Sequence, residues 1–237
     1  ISGHHYIGKN ASEDPYLLPY VSNLLTSIVP EYRERIQFMD KLAGFDAVIA
    51  TGSNNSARYF ESYFAAVPHI IRKNRSGVAV ISGEESKADF KNLGKDIFQY
   101  FGLGCRNVSK MYVPQGYDFK NFFEGIFSFS DVMQHAKYMN NFDYNNAMLL
   151  MKQIPFLQNG FMIIHEDQRI ASPISVVHYE KYNDIKGLES ALDASESEIQ
   201  CVISNSRLKL QSALSDRVVK DRKSTRLNSS HANISYA

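Results

Sequence analysis

Short apolar runs alternate with helical patterns along this chain, and this alternation constrains the fold more than any other feature. Runs of four to six apolar residues, bounded by polar or turn residues, predict buried strands. They lie at residues 45–50, 68–71, 78–81, 108–113, 161–164, 174–179 and 199–203. Helical patterns separate most of them, and the first four give the order β-α-β-β-α-β. This order predicts an α/β protein.

The stretch at 101–110, FGLGCRNVSK, joins a helical pattern to a strand pattern and carries Cys105, one of two cysteines. Gly102 and Gly104 allow the backbone to approach a ligand closely. The cation of Arg106 favours a thiolate, which is the nucleophilic form of cysteine. Two interpretations stay open: Cys105 is a nucleophile on a glycine-rich turn, or it is a small buried residue at a helix end, the commoner state of a free cysteine.

A second turn, Thr51-Gly52-Ser53, follows the strand pattern at 45–50 and precedes another helical pattern. A strand, a Gly-Ser turn and a helix in this order aim backbone N–H groups and the positive helix end at a phosphate. Gly52 and Ser53 are therefore candidates for contact with a phosphate or pyrophosphate. The alternative is an ordinary strand-to-helix turn.

Composition excludes several classes of protein. The chain has 237 residues, enough for one large or two small domains, with 44% hydrophobic and 22% charged residues. A formal net charge of +1 gives no reason to expect a nucleic-acid or membrane partner. No apolar run approaches the length of a membrane span. Two cysteines do not make a disulfide framework, so the cytoplasm is the expected compartment.

The two ends of the chain have unusual sequences. The first residue is Ile1, and residues 221–237 are polar, without apolar periodicity. We expect the chain to be a fragment that lacks the amino end of its domain. We expect residues 221–237 to be a non-native tail, with a genuine disordered tail as the alternative.

The histidines and the second cysteine give only weak signals. The adjacent His4 and His5 would point to opposite faces of a strand, which disfavours a two-histidine site. His165 and His178 are single histidines near strand ends, and each is either a base or a core residue. Motifs such as C-x-x-C and H-E-x-x-H do not occur, so no metal site is predicted. Cys201 lies in an apolar strand pattern and is predicted to be structural.

Four blocks together resemble the aldehyde dehydrogenase superfamily. They are residues 2–15, 50–53, 80–83 and 101–107. More closely, residues 45–118 resemble the long-chain acyl-CoA reductases, the fatty-acid reductases of bacterial luminescence and their relatives, and the similarity extends over about 1–205. The resemblance implies a partial Rossmann-type dinucleotide-binding domain at 1–80 and a truncated α/β catalytic domain at 81–205, and it assigns no role to 206–237.

The resemblance also implies an activity: NADPH-dependent reduction of a long-chain fatty acyl thioester, carried by CoA or another carrier, to a fatty aldehyde. Cys105 would be the nucleophile, Lys9 would lie near the adenosine ribose, and Gly52 and Ser53 would lie near the cofactor phosphates. Homo-oligomerisation is left open. Two other functions remain as alternatives: an NAD(P)-dependent aldehyde dehydrogenase that releases free acid, and a non-catalytic α/β binding module.

The sequence departs from the superfamily pattern at two places. Val80 stands where hydrolytic members carry a glutamate that activates water, although Glu84 or Glu85 could replace it. Arg169 begins the block Arg-Ile-Ala-Ser-Pro, where a glutamate usually holds the nicotinamide ribose. The superfamily's oxyanion-binding asparagine would lie upstream of this chain, and Asn107 is a poor substitute because its side chain can point elsewhere.

Overall fold

A computed structural model describes residues 3–12, 14–52 and 54–219. These residues form two compact units, divided between Lys73 and Asn74. The roles assigned above to 1–80 and 81–205 stay predictions, and the tail predicted at 221–237 lies outside the described residues. None of the described helices is long and apolar enough to cross a membrane.

The described residues of the first unit form two pairs of parallel strands and two α-helices. Its elements are β1 (Tyr6–Gly8), α1 (Leu17–Ile28), β2 (Ile36–Phe38), β3 (Val48–Gly52), α2 (Asn54–Tyr63) and β4 (His69–Lys73). Strand β1 pairs with β2, and β3 pairs with β4. Asp14 Oδ1 accepts the backbone N–H of Leu17 at 3.0 Å, which satisfies one of the free N–H groups at the start of α1.

The second unit is built on a seven-stranded sheet. Its strands are β5 (Ser76–Val80), β6 (Val108–Pro114), β7 (Phe156–Gln158), β8 (Ile163–Glu166), β9 (Val176–Tyr182), β10 (Ile199–Ser204) and β11 (Val218–Val219). The strand order is β11-β10-β5-β6-β9-β8-β7, and every pair is parallel except β7 with β8. This sheet confirms the predicted α/β class.

Up to residue 219, where the described part of this unit ends, four α-helices accompany the sheet. They are α3 (Lys87–Phe98), α4 (Lys120–Ile126), α5 (Ala136–Met151) and α6 (Ile185–Ala194). Helix α3 begins with a capping box in which Ser86 and Asp89 exchange side-chain and backbone hydrogen bonds. One core cluster includes Phe90 and Phe122 from α3 and α4, and a second includes Leu192 from α6.

Some predicted elements differ in detail from those observed. The sequence has one helical pattern over 131–153, which predicts a single helix. The structure instead has a 3₁₀ helix, Phe127–Gln134, followed by α5, and His135 between them has an extended backbone. Strands β2, β7 and β11 were not predicted, because two or three residues are too few to show a periodic pattern.

Candidate active site

Cys105 lies on a tight turn between α3 and β6, and its thiol is exposed. Helix α3 ends at Phe98, and the next turn contains three residues with positive φ: Tyr100 at 54°, Phe101 at 57° and Gly102 at 78°. A left-handed conformation costs a non-glycine residue about 1–2 kcal/mol. The surrounding contacts must therefore hold this turn, which we call the thiol turn (residues 99–107). The structure agrees with the predicted turn and not with a buried thiol.

The side chain of Asn107 fastens the thiol turn to the end of α3. Asn107 is only 6% exposed, and its Nδ2 donates to the carbonyl oxygens of Asp96, Ile97 and Gln99 at 2.8, 3.1 and 2.9 Å. These are carbonyl groups that a helix end leaves without intrahelical partners. Asn107 therefore anchors the turn, and its amide is not available to a substrate oxyanion.

Two further contacts fix the same turn. The Phe101 ring stacks on the His135 ring, with centroids 4.1 Å apart. The backbone N–H of Gly77 donates to the Asn107 carbonyl at 2.9 Å, and a Cβ at Gly77 would lie 2.6 Å from the carbonyl oxygen of Arg106. The thiol turn thus packs directly against the start of β5, where only glycine fits.

Arg106 is oriented toward the second cysteine. Cys201 in β10 is buried, and its Sγ lies 3.9 Å from the Arg106 carbonyl oxygen. Burial raises the pKa of the Cys201 thiol, and the Arg106 guanidinium partly opposes that effect. Cys201 is therefore a buried thiol, as predicted, whereas the expected influence of Arg106 on Cys105 stays a prediction.

The thiol turn presents two groups that could take part in acyl transfer, the Cys105 sulfur and its backbone N–H. The Cys105 sulfur is open to attack a carbonyl carbon. Within the part of the chain that the structure describes, no backbone or side-chain acceptor occupies the Cys105 N–H. That N–H can donate to an oxyanion that forms next to the sulfur.

The block at Val80 does not lie beside the thiol turn. This corrects the sequence interpretation in which Val80 occupies the position of a glutamate that activates water at the nucleophile. Strands β5 and β6 are parallel, with Gly77 opposite Val108 and Val80 opposite Tyr112. The thiol turn is at their amino ends, and Val80 lies about 10 Å farther along β5. Parallel strand direction therefore separates the two blocks.

The two glutamates that could replace that base lie beyond Val80, at the same far end. Glu85 accepts hydrogen bonds from the backbone N–H groups of Ser82 at 2.7 Å and Gly83 at 3.0 Å, so its carboxylate closes a local turn. Glu84 is exposed. Neither is placed to activate water at Cys105.

The predicted cofactor residues lie in the first unit. Gly52 is the last residue of β3, and a Cβ there would lie 2.8 Å from Ser56 Cβ, so glycine permits close approach of strand and helix α2. Lys9 directly follows β1 and is exposed. Both are at carboxyl ends of parallel strands, in two separate two-stranded sheets, and their contact with a cofactor stays a prediction. Ser53 lies outside the described residues.

Arg169, which begins the block found in place of the superfamily's ribose-binding glutamate, pairs with Asp167. Arg169 donates through Nε to both oxygens of Asp167, at 3.0 and 3.1 Å. This interaction holds the pKa of the Asp167 carboxyl well below its usual range. Arg169 thus has an ion-pair partner in Asp167.

Sequence reasoning missed the roles of Asn107 and His135, which support the thiol turn. It also treated His165 and His178 singly, whereas β8 and β9 place them side by side. The two strand patterns place each histidine on a strand, but the sequence does not give the register that pairs them.

Comparison with known proteins identifies the architecture. No family model and no curated protein matches the sequence. Solved structures do match. An indole-3-acetaldehyde dehydrogenase bound to NAD⁺ aligns with a TM-score of 0.57 and 12% identity, over 81% of this chain and 48% of that one. The aldehyde dehydrogenase KauB from Pseudomonas aeruginosa aligns with a TM-score of 0.60 and 12% identity, over 87% and 52%.

A 1-pyrroline-5-carboxylate dehydrogenase from Thermus thermophilus also aligns, with a TM-score of 0.58 and 10% identity, over 87% of this chain and 54% of that one. The chain thus spans about half the length of these structures. At such low identity the similarity concerns the fold, and it agrees with the parallel sheet described above. The chain has a partial aldehyde dehydrogenase-like α/β fold.

Proposed function

We propose that this chain belongs to an NADPH-dependent reductase that converts a long-chain fatty acyl thioester, such as an acyl-CoA, to a fatty aldehyde, with Cys105 as the nucleophile. The observation that carries the proposal is the exposed Cys105 thiol on an anchored turn within an aldehyde dehydrogenase-like fold. The acyl substrate and the choice of NADPH rest on the sequence resemblance at 45–118. A neighbouring structure bound to NAD⁺ supports a nicotinamide dinucleotide more generally.

The reaction begins at the sulfur of Cys105. Its thiolate attacks the acyl carbonyl carbon, and the Cys105 N–H donates to the resulting oxyanion. The bond to the CoA sulfur then breaks, CoA leaves as a thiolate, and a thioester remains on Cys105. When bound, the reduced nicotinamide dinucleotide supplies a hydride for the carbonyl carbon of this thioester. The C–S bond of the thiohemiacetal then breaks, which releases the aldehyde and restores the Cys105 thiolate.

Hydrolysis of the thioester would end the reaction as a free acid. Water needs a general base to attack a thioester efficiently. Glu85 is engaged by Ser82 and Gly83, and both it and Glu84 follow the carboxyl end of β5, away from the thiol turn. Their placement supports a thioester that persists long enough to be reduced.

The residues proposed for the cofactor are Lys9 for the adenosine ribose and Gly52 with Ser53 for the phosphates. Gly52 leads into the first turn of α2, whose backbone N–H groups and positive dipole favour an anion. The exposed ammonium of Lys9 can donate to ribose hydroxyls. These assignments are tested by NADPH fluorescence with Lys9→Ala and wild-type protein.

Labelled long-chain acyl-CoA tests the central step in the full chain. Wild-type protein and Cys201→Ala are expected to acquire the acyl label covalently and, with NADPH, to form aldehyde. Cys105→Ala is expected to do neither. Labelling and aldehyde formation by Cys105→Ala would refute the nucleophile assignment. Oxidation of aldehyde to free acid without CoA would instead favour a hydrolytic dehydrogenase.

A further inference from the structure

His165, Asp167 and His178 form a compact cluster on the sheet of the second unit. Strands β8 and β9 are parallel, and their register places His165 directly beside His178. The two rings meet edge to face with centroids 4.8 Å apart, and Asp167 follows His165 by two residues. One ligand atom from each of the three residues lies within 4.8 Å of the other two.

The hydrogen bonds of the two imidazoles leave their Nε2 atoms available to a ligand. His178 Nδ1 lies 3.0 Å from the carbonyl oxygen of Arg169, and His165 Nδ1 lies 3.3 Å from that of Glu166. A carbonyl oxygen only accepts hydrogen bonds, so each Nδ1 carries the proton and each Nε2 carries a lone pair. Metal-binding histidines are oriented in this way by a carbonyl partner on the other nitrogen.

The Nε2 of His178 is the most informative atom of the cluster. The residue is 0% exposed, and this nitrogen has no hydrogen-bond partner among the residues that the structure describes. A buried acceptor without a partner destabilises the folded chain. A cation that binds Nε2 would remove this destabilisation, and Asp167 is placed to supply the compensating negative charge.

Two cations lie close to the cluster, and each already has a carboxylate partner. Arg169 pairs with Asp167. Lys110 is paired with His178 in the register of β6 and β9. Its Nζ forms an ion pair with Glu180 Oε2 and donates to the Gln168 carbonyl oxygen at 2.7 Å. A bound metal ion would therefore compete with the Arg169 guanidinium for Asp167, whereas Lys110 stays neutralised by Glu180.

We propose that His165, Asp167 and His178 bind one divalent transition-metal ion of the zinc class, through both Nε2 atoms and one carboxylate oxygen. Imidazole and carboxylate ligands suit Zn²⁺, which takes ligands at about 2.0–2.2 Å. In a tetrahedral site such ligands are about 3.3–3.5 Å apart. The ligand atoms of the cluster lie up to 4.8 Å apart, so the three side chains must close by somewhat more than about 1 Å when the ion binds. Water would complete the coordination.

Metal-free full-length chain tests the site by calorimetric titration with Zn²⁺ and by the absorption of bound Co²⁺. We expect one ion per chain, with the intense visible bands of tetrahedral Co²⁺. Asp167→Asn and His178→Gln should each weaken binding at least tenfold. Arg169→Gln should strengthen binding, because it removes the competitor for Asp167.

Control variants separate this site from adventitious binding. His69→Gln changes an exposed histidine of β4 whose Nδ1 also lies near a carbonyl oxygen, and it should leave the titration unchanged. A double change, His4→Ala with His5→Ala, should also leave it unchanged. Absence of saturable binding, or binding that is insensitive to Asp167→Asn, would overturn the proposal. Circular dichroism verifies folding, and Asp167→Asn, at a half-buried side chain, decides the test if His178→Gln fails to fold.

Discussion

Asn107→Ala removes the side chain that fastens the thiol turn to α3, and its cost can be worked from the structure. The amide carries two N–H donors that serve three carbonyl oxygens. Two hydrogen bonds at about 1 kcal/mol each give about 2 kcal/mol, and a carbonyl left buried without a partner adds about 1–2 kcal/mol. We therefore expect Asn107→Ala to lower the free energy of unfolding of the second unit by about 3 kcal/mol.

Urea denaturation followed by circular dichroism measures this loss, since the chain has no tryptophan. Asn92→Ala is the matched control, because its side chain accepts an exposed hydrogen bond from Lys95 on the same helix. We expect it to change stability by no more than about 0.5 kcal/mol. Asn107→Asp keeps the shape but replaces donors by acceptors, so it should destabilise at least as much as alanine. Equal stability of Asn107→Ala and Asn92→Ala would refute the anchoring role.

Two further changes test the packing around the site. Gly104→Ala places a Cβ 2.4 Å from Asn107 Oδ1, so calorimetric melting should show a free energy of unfolding that is lower by about 1–3 kcal/mol. Gly187→Ala is the control: its Cβ would make ordinary contacts, so this variant should not lose stability. Burial raises the pKa of the Tyr138 hydroxyl, which donates to the Phe161 carbonyl. Its contribution to stability is therefore complete below the unfolded pKa of about 10 and is lost as the pH rises above it. Between pH 9 and pH 11, the free energy of unfolding should therefore fall less for Tyr138→Phe than for the wild-type chain. An equal fall in both proteins would contradict this assignment.

Periodic patterns were sufficient to predict the elements around Cys105. The helical pattern that includes Phe90 and Ile97 and the apolar run at 108–113 fixed both sides of its turn, and α3 and β6 confirm them. Such patterns reflect burial on one face of a helix or strand, which the core cluster shows directly. The sequence therefore located the thiol turn correctly.

The contacts that hold the site depend on the path of the backbone, which these patterns do not specify. The left-handed residues Tyr100 and Phe101 bring Asn107 back to the end of α3, and neither residue type favours that conformation. Likewise, the adjacency of His165 and His178 follows from strand register, and the separation of Val80 from Cys105 follows from strand direction. These are relations between distant segments, so a single sequence does not reveal them.

The most direct measurement is the mass of the peptide that contains Cys105 after brief exposure of the native chain to a long-chain acyl-CoA without NADPH. We expect this peptide to gain the mass of one acyl group, to lose it in neutral hydroxylamine, and to lose it as aldehyde when NADPH is added. The buried Cys201 should stay unmodified. Aldehyde formation with the acyl group on Cys201, or with Cys105 unmodified throughout, would contradict the proposed mechanism.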